Sequence, residues 1–154
     1  MKKCLLILSV VVIAFASCKK IEDFDPVKQA AEDDAAIKKY INVTNASAVK
    51  DSTSSLYYTI INPGTGPRPN INSTVTVTYV GKTIGGSVFD QSTTDAAFLL
   101  NRLILGWQIG LPKIGTGGEI ILYVPSALGY GNVSAGPLGP NTVLIFDIKL
   151  SGIN

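Results

Sequence analysis

The chain has 154 residues, with 13 Lys plus Arg against 11 Asp plus Glu, no His and two Cys. That length fits one compact domain with a tail and leaves no room for two full-sized domains. Without histidine, Ser-His-Asp and Cys-His nucleophilic sites, a His general base and His-ligated zinc are excluded, and cysteines confined to positions 4 and 18 cannot build a Cys-rich metal site or a disulfide framework.

Met1-Lys2-Lys3 opens the chain with positive charge, and Leu5 to Ala16 is an apolar run broken only by Ser9, ending in Ala16-Ser17 before Cys18. This is the pattern of a secretory signal, and the run falls short of the roughly 20 residues a membrane-spanning helix needs. Phe15-Ala16-Ser17-Cys18 resembles a bacterial lipobox, with Phe15 where leucine is usual. Residues 1–17 are therefore expected to be a lipoprotein signal peptide, and Cys18 the first mature residue and the site of lipidation. Removing Lys2 and Lys3 leaves equal numbers of basic and acidic residues, so the mature chain is neutral.

Residues 18–51 read as a tether followed by a helix. Lys19 to Asp25 is charged and too poor in apolar residues to fold alone. Asp25-Pro26 then reads as N-cap and first helical residue, and Val27, Ala30, Ala31, Ile37, Tyr40 and Ile41 line one face of an amphipathic helix through about Asn42. Lys28, Glu32, Asp33, Lys38 and Lys39 read as its solvated face. Asn42 to Ser55 reads as a linker. Lys19 to Asp51 carries six Lys and seven acids, whereas Ser52 to Asn154 holds only five basic and four acidic residues. The domain proper thus lacks a basic stripe to track a phosphate backbone, which argues against nucleic acid as its partner.

Residues 52–154 contain all fifteen glycines after Ser55 and seven of the eight prolines, among short β-branched and aromatic segments. This signals a strand-and-turn domain. Leu56 to Ile61 is the first strand, closed by the Pro/Gly-rich segment Asn62 to Asn70. Thr74 to Val80 alternates Val75, Val77 and Tyr79 with threonines, the period of a half-buried strand. Gly85-Gly86 makes a hairpin turn within Gly81 to Asp90; Leu99 to Leu111 holds a short helix around Gly106-Trp107; Glu119 to Val124 and Thr142 to Leu150 are the last strands. Gly115-Thr116-Gly117-Gly118 lacks the Lys-Ser/Thr of a phosphate loop and reads as a turn. The Asn-x-Ser/Thr triplets at Asn42, Asn45, Asn72 and Asn132 carry no functional weight in a bacterial envelope setting.

Five blocks stand out: Val75-Thr76-Val77-Thr78-Tyr79-Val80-Gly81, Ser87-Val88-Phe89-Asp90, Leu103-Ile104-Leu105-Gly106-Trp107, Leu128-Gly129-Tyr130-Gly131 and Leu144-Ile145-Phe146-Asp147. Taken singly, a tryptophan or an aromatic residue on a period-two strand reads as plain core and Asp90 as a turn cap. In this order and spacing the blocks resemble the FKBP-type peptidyl-prolyl isomerases over Leu56 to Leu150, and the tether and helix look like the N-terminal extension of bacterial FKBP-type lipoproteins.

The resemblance implies an α+β fold, a twisted antiparallel sheet wrapped around a short α-helix, with an apolar pocket between them. Trp107 would floor the pocket, and Tyr79, Phe89 and Phe146 would wall it. Leu103 and Ile104 would form its edge, the Ile104 amide meeting a ligand carbonyl. The Tyr130 hydroxyl would donate to a carbonyl of the bound peptide, Asp90 would place a carboxylate beside the pocket, and Leu138 would supply an apolar residue of the flanking loop. Ala96 stands where many members place an aromatic wall, which predicts a more open side. Gly139-Pro140 in place of Pro-Pro, and Pro137 in place of an aliphatic, predict an altered flap loop.

The residue chemistry agrees with the resemblance. Rotating an X-Pro bond removes no proton and forms no covalent intermediate; its barrier of about 18–20 kcal/mol is amide resonance lost in the twisted state. A dry aromatic pocket with one well-placed donor suffices, and no cofactor or metal is called for. The expected partners are proline-containing segments of exported proteins and, through the N-terminal lipid, the membrane of the cell envelope; the chain is expected to be a monomer. An FKBP-like binding module or chaperone with little turnover, and a structural lipoprotein with a β-sandwich domain, remain the alternatives.

Overall fold

The computed structural model describes residues 24–154. The signal peptide, the lipidation site at Cys18 and most of the tether lie outside the described residues.

Helix α1 (Pro26–Thr44) begins where the local chemistry places it. The Asp25 carboxylate accepts from the amides of Val27 and Lys28 at 2.9 and 3.2 Å, and Pro26 has no N–H to leave unsatisfied in the first turn. The helix ends at Asn45, whose left-handed φ of 51° turns the chain away. Its buried residues are Asp33 and Ile37. This corrects the expected faces: Val27, Ala30 and Ala31, read as part of the apolar stripe, are exposed, and Asp33, read as solvated, is buried. Asp33 lies four residues before Ile37, so the two share a face, and a carboxylate is tolerated there because donors on another element meet it.

The sheet has six antiparallel strands: β1 (Val49–Lys50), β2 (Tyr57–Asn62), β3 (Thr74–Thr83), β4 (Val88–Leu99), β5 (Glu119–Val124) and β6 (Leu144–Ile153), in spatial order β1-β2-β5-β6-β3-β4. β1 sits in the segment read as a linker, and β4 continues well past the hairpin arm the sequence suggested. Both are edge strands, largely exposed, so neither shows the alternation that burial on one face imposes. The hairpin turn falls as expected, with Gly86 at φ 91° and the Thr83 amide donating to the Ser87 carbonyl at 2.9 Å.

Alternation along the strands divides the core. On one face, Val75 and Val77 of β3, Phe146, Ile148 and Leu150 of β6, and Ile120, Leu122 and Val124 of β5 form the main core under α2 (Leu105–Gly110). On the other, Tyr57, Tyr123 and Ile145 stand in one cross-strand row and pack with Ile37 and Val143 beneath α1. Helix α2 approaches β5 closely: a Cβ on Gly106 would lie 2.6 Å from Val124 Cγ1, and one on Gly110 would lie 2.5 Å from Leu122 Cδ2. Two glycines one helical turn apart thus set the depth at which Trp107 sits.

The segment between β1 and β2 is pinned to the turn after α2. Buried Asp51 accepts from Lys113 Nζ, from Thr53 N and Oγ1 at 3.2 and 2.8 Å, and from Ser54 Oγ at 2.9 Å. The Lys113 ammonium, which also lies 4.7 Å from the Tyr58 ring centroid, is the main cause holding the Asp51 carboxyl well below the usual carboxylate range. A carboxyl depressed in the folded state stabilises it above the unfolded pKa, and that contribution fades as pH falls. Asp51→Asn is expected to cost about 2 kcal/mol at pH 7. The gap from wild type should shrink steadily below about pH 4, as read by urea denaturation at several pH values.

Candidate functional site

Between α2 and the sheet face it packs on lies a cleft of about 220 Å³. Its floor is Trp107, buried to 4% exposure, and the rings around it meet edge to face. Trp107 is 5.2 Å from Tyr79 at 84°, 5.3 Å from Phe146 at 87° and 6.5 Å from Phe98 at 86°, centroid to centroid. Such pairs add about 0.5–1.5 kcal/mol each beyond area burial and fix ring orientation. The indole Nε1 is buried and has no partner among the described residues.

The strands set this arrangement through their register. Asp90 pairs with Gly81, and Gly81 pairs with Phe146, so β4, β3 and β6 present one row. Gly81 has to lack a side chain: a Cβ there would lie 2.9 Å from both Phe89 and Phe146, which pack against each other at 5.6 Å. Tyr79, two residues before Gly81, shares its face and donates from its hydroxyl to Asp90 Oδ2 at 2.7 Å. Burial first, and then this hydrogen bond, push the Tyr79 phenol up to about 12. It therefore stays a donor throughout the neutral range, and the carboxylate at the rim is held rather than free to swing.

Tyr130, 42% exposed, also lines the cleft, in the loop that follows the 3₁₀ turn Ser126–Leu128. The amides of Gly129 and Gly131, on either side of it, both donate to the Ser126 carbonyl, at 2.9 and 2.8 Å, and Gly131 takes φ 67°. Leu103 and Ile104 close the cleft at the start of α2, where the Gln108 carboxamide donates to the Leu103 carbonyl at 2.7 Å.

Of the residues expected at the site, Tyr79, Asp90, Leu103, Ile104, Trp107, Tyr130 and Phe146 come together on the lining. Phe89 stands behind it, supporting Phe146. Leu138 turns inward to the main core, 5% exposed, where it pairs with Ala135 through two hydrogen bonds of 3.0 Å. Two lining residues escaped the sequence reading, Phe98 and Arg102. Phe98 corrects the expectation of an open side at Ala96: it lies two residues on, on the same strand face, and reaches both Tyr79 and Trp107. The period-two offset from Ala96 was the signal that could have found it. A larger hollow of about 470 Å³ between α1 and the Ser126 turn holds none of the predicted site residues.

A family model described as FKBP-type peptidyl-prolyl cis-trans isomerase matches residues 66–151. The chain is 37% identical over 127 residues to the FKBP-type peptidyl-prolyl cis-trans isomerase FkpA of Escherichia coli, covering 80% of this chain and 47% of that protein. It is 41% identical over 104 residues to the outer membrane protein MIP of Legionella longbeachae, covering 65% and 45% respectively. The chain spans about half the length of these curated relatives. Among solved structures, a peptidyl-prolyl cis-trans isomerase from Pseudomonas syringae pv. tomato superposes with a TM-score of 0.70 at 32% identity, covering 86% of this chain and 98% of that one.

Proposed function

Since the chain belongs to the FKBP-type peptidyl-prolyl cis-trans isomerases, we propose that it accelerates rotation about X-Pro bonds in exported or envelope proteins. The observation that supports this reading best is the cleft itself: a tryptophan floor ringed by edge-on aromatics, with its carboxylate engaged by Tyr79.

In this reading the prolyl ring rests on Trp107 between Tyr79, Phe98 and Phe146, where water is displaced. The planar amide is more polar than its twisted form, so a dry wall favours the transition state, while the Ile104 amide and the Tyr130 hydroxyl hold the flanking carbonyls. Asp90 keeps Tyr79 in place, and Leu103 lines the edge. Phe89 backs Phe146, and Leu138 supports the flanking loop from the core side. Rotation moves no proton to or from the protein, so the lack of histidine is no handicap.

The same proposal assigns residues 1–17 to a lipoprotein signal, 18–51 to a lipid-anchored tether and helix, and 52–154 to the isomerase domain, acting as a monomer at the cell envelope. The Phe15 to Cys18 pattern supports the anchor, and a relative named as an outer membrane protein supports the location.

A protease-coupled assay on a proline peptide tests the activity with the full chain. Wild type should accelerate isomerisation above the uncatalysed rate, and Tyr130→Phe, losing one hydrogen bond, should lower kcat/KM by about fivefold. No acceleration by folded protein at micromolar concentration would overturn the enzyme reading and leave a binding module.

A further inference from the structure

We propose that Asp33 is a positioning residue for the cleft: from a helix outside the isomerase domain it fixes the loop that carries Tyr130. Its catalytic readout rests on the isomerase reading above; its structural readout does not.

Asp33 is 3% exposed. Its Oδ2 accepts from both the amide and the hydroxyl of Ser126, at 2.8 and 2.7 Å, and its Oδ1 accepts from Gln29 Nε2 at 2.8 Å. Ser126, 2% exposed, is thereby gripped at its N–H and its side chain at once. Its carbonyl is the remaining polar group, and that oxygen takes the amides of Gly129 and Gly131. Tyr130 sits between these two donors, and the Gly131 carbonyl in turn accepts from Asn141 at 2.8 Å. A continuous hydrogen-bonded path therefore runs from the Asp33 carboxylate through one residue to the backbone on both sides of Tyr130.

Two features separate this from simple docking of the helix. Attachment of α1 is already provided by the apolar cluster of Ile37, Tyr57, Tyr123 and Ile145, whereas burying a carboxylate is costly and is tolerated only where donors converge on it. And Tyr130 is 42% exposed and no side-chain hydrogen bond to it is seen among the described residues, so its backbone has to set where the hydroxyl points. α1 precedes residues 66–151, so the path enters the isomerase domain from outside the matched family region.

The test is a double-mutant cycle on kcat/KM for a proline peptide, using the full chain. Asp33→Ala should lower kcat/KM by about fivefold, the same factor as Tyr130→Phe, because a rim donor displaced by a fraction of an ångström loses its carbonyl. Asp33→Asn, whose carboxamide oxygen still accepts from Ser126, should stay within about twofold of wild type, as should Gln29→Ala, which leaves the Ser126 bonds intact. In the Tyr130→Phe background Asp33→Ala should lower kcat/KM by no more than about twofold, since the two act through one group. An equal factor in both backgrounds, or full activity in folded Asp33→Ala, overturns the proposal. Should Asp33→Ala fail to fold, Ser126→Ala removes only the hydroxyl bond, and the same cycle decides with a smaller factor. Amide hydrogen exchange at Gly129 and Gly131 gives the second readout. It should quicken at least tenfold in Asp33→Ala and stay unchanged in Asp33→Asn, and unchanged exchange in Asp33→Ala overturns the positioning role even if wild type proves inactive.

Discussion

Trp107→Ala is expected to lower kcat/KM toward a proline peptide by about 50-fold and to cost about 3–5 kcal/mol of stability. The first figure follows from the prolyl ring, whose three methylenes lose about 0.8 kcal/mol each when their floor is removed, or about 2.4 kcal/mol together. The second is the usual penalty for deleting a buried indole, enlarged here because Tyr79, Phe146 and Phe98 each lose an edge-to-face partner. Trp107→Phe separates the two effects. It keeps an aromatic floor and discards the buried Nε1, which has no partner among the described residues, so its stability cost should be only about 1–2 kcal/mol. Because Trp107 is the only tryptophan, unfolding has to be followed by far-ultraviolet circular dichroism in urea. A stable Trp107→Ala variant with wild-type kcat/KM would place the prolyl site elsewhere.

The parts of the molecule legible in its sequence are those where burial stamps a period on the chain. β3 shows its alternation because Val75 and Val77 are fully buried while the intervening threonines are half-exposed, and β5 was located to the residue. Gly85-Gly86 marked the hairpin because the turn demands a positive φ. β4 beyond Asp90 and all of β1 were hidden because an exposed edge strand is held by backbone hydrogen bonds that any sequence can make. Asp33 was misread for a different reason. Its helical position, one turn before Ile37, pointed inward, but its charge pointed outward, and only the partner Ser126, far along the chain, resolves the conflict. Phe98 was missed because the wall was sought at Ala96, and β4 carries an irregularity there: partners jump from Val77–Ala96 to Tyr79–Ser92. A bulge of this kind shifts a side chain along the strand, and only the period-two offset from Ala96 marks where it lands.

Gly106→Ala sets two effects of opposite sign against each other, and their magnitudes decide the outcome. In a solvent-exposed helix the change would stabilise by about 1 kcal/mol, because alanine loses less backbone freedom than glycine. Here the new methyl would lie 2.6 and 2.9 Å from the two methyls of Val124 and 3.3 Å from its Cβ. Val124 is fully buried and, being β-branched, is restricted at χ1, so it has little freedom to turn aside. Overpacking of this kind costs about 1–3 kcal/mol, so the net change should be a loss, relieved only by α2 lifting away from β5. That lift carries Trp107, the next residue, with it, and displacing the floor by about 1 Å is enough to reduce kcat/KM by tenfold or more. Gly110→Ala meets Leu122 at 2.5 Å, and Leu122 is equally buried. Because both substitutions push the same helix off the same strand, the double variant should lose less stability than the sum of the singles, the first methyl having opened room for the second. Urea denaturation of the two singles and the double, with kcat/KM on the same samples, reads all three quantities. Gly106→Ala more stable than wild type would show that the contact between α2 and β5 yields freely and does not set the depth of the tryptophan.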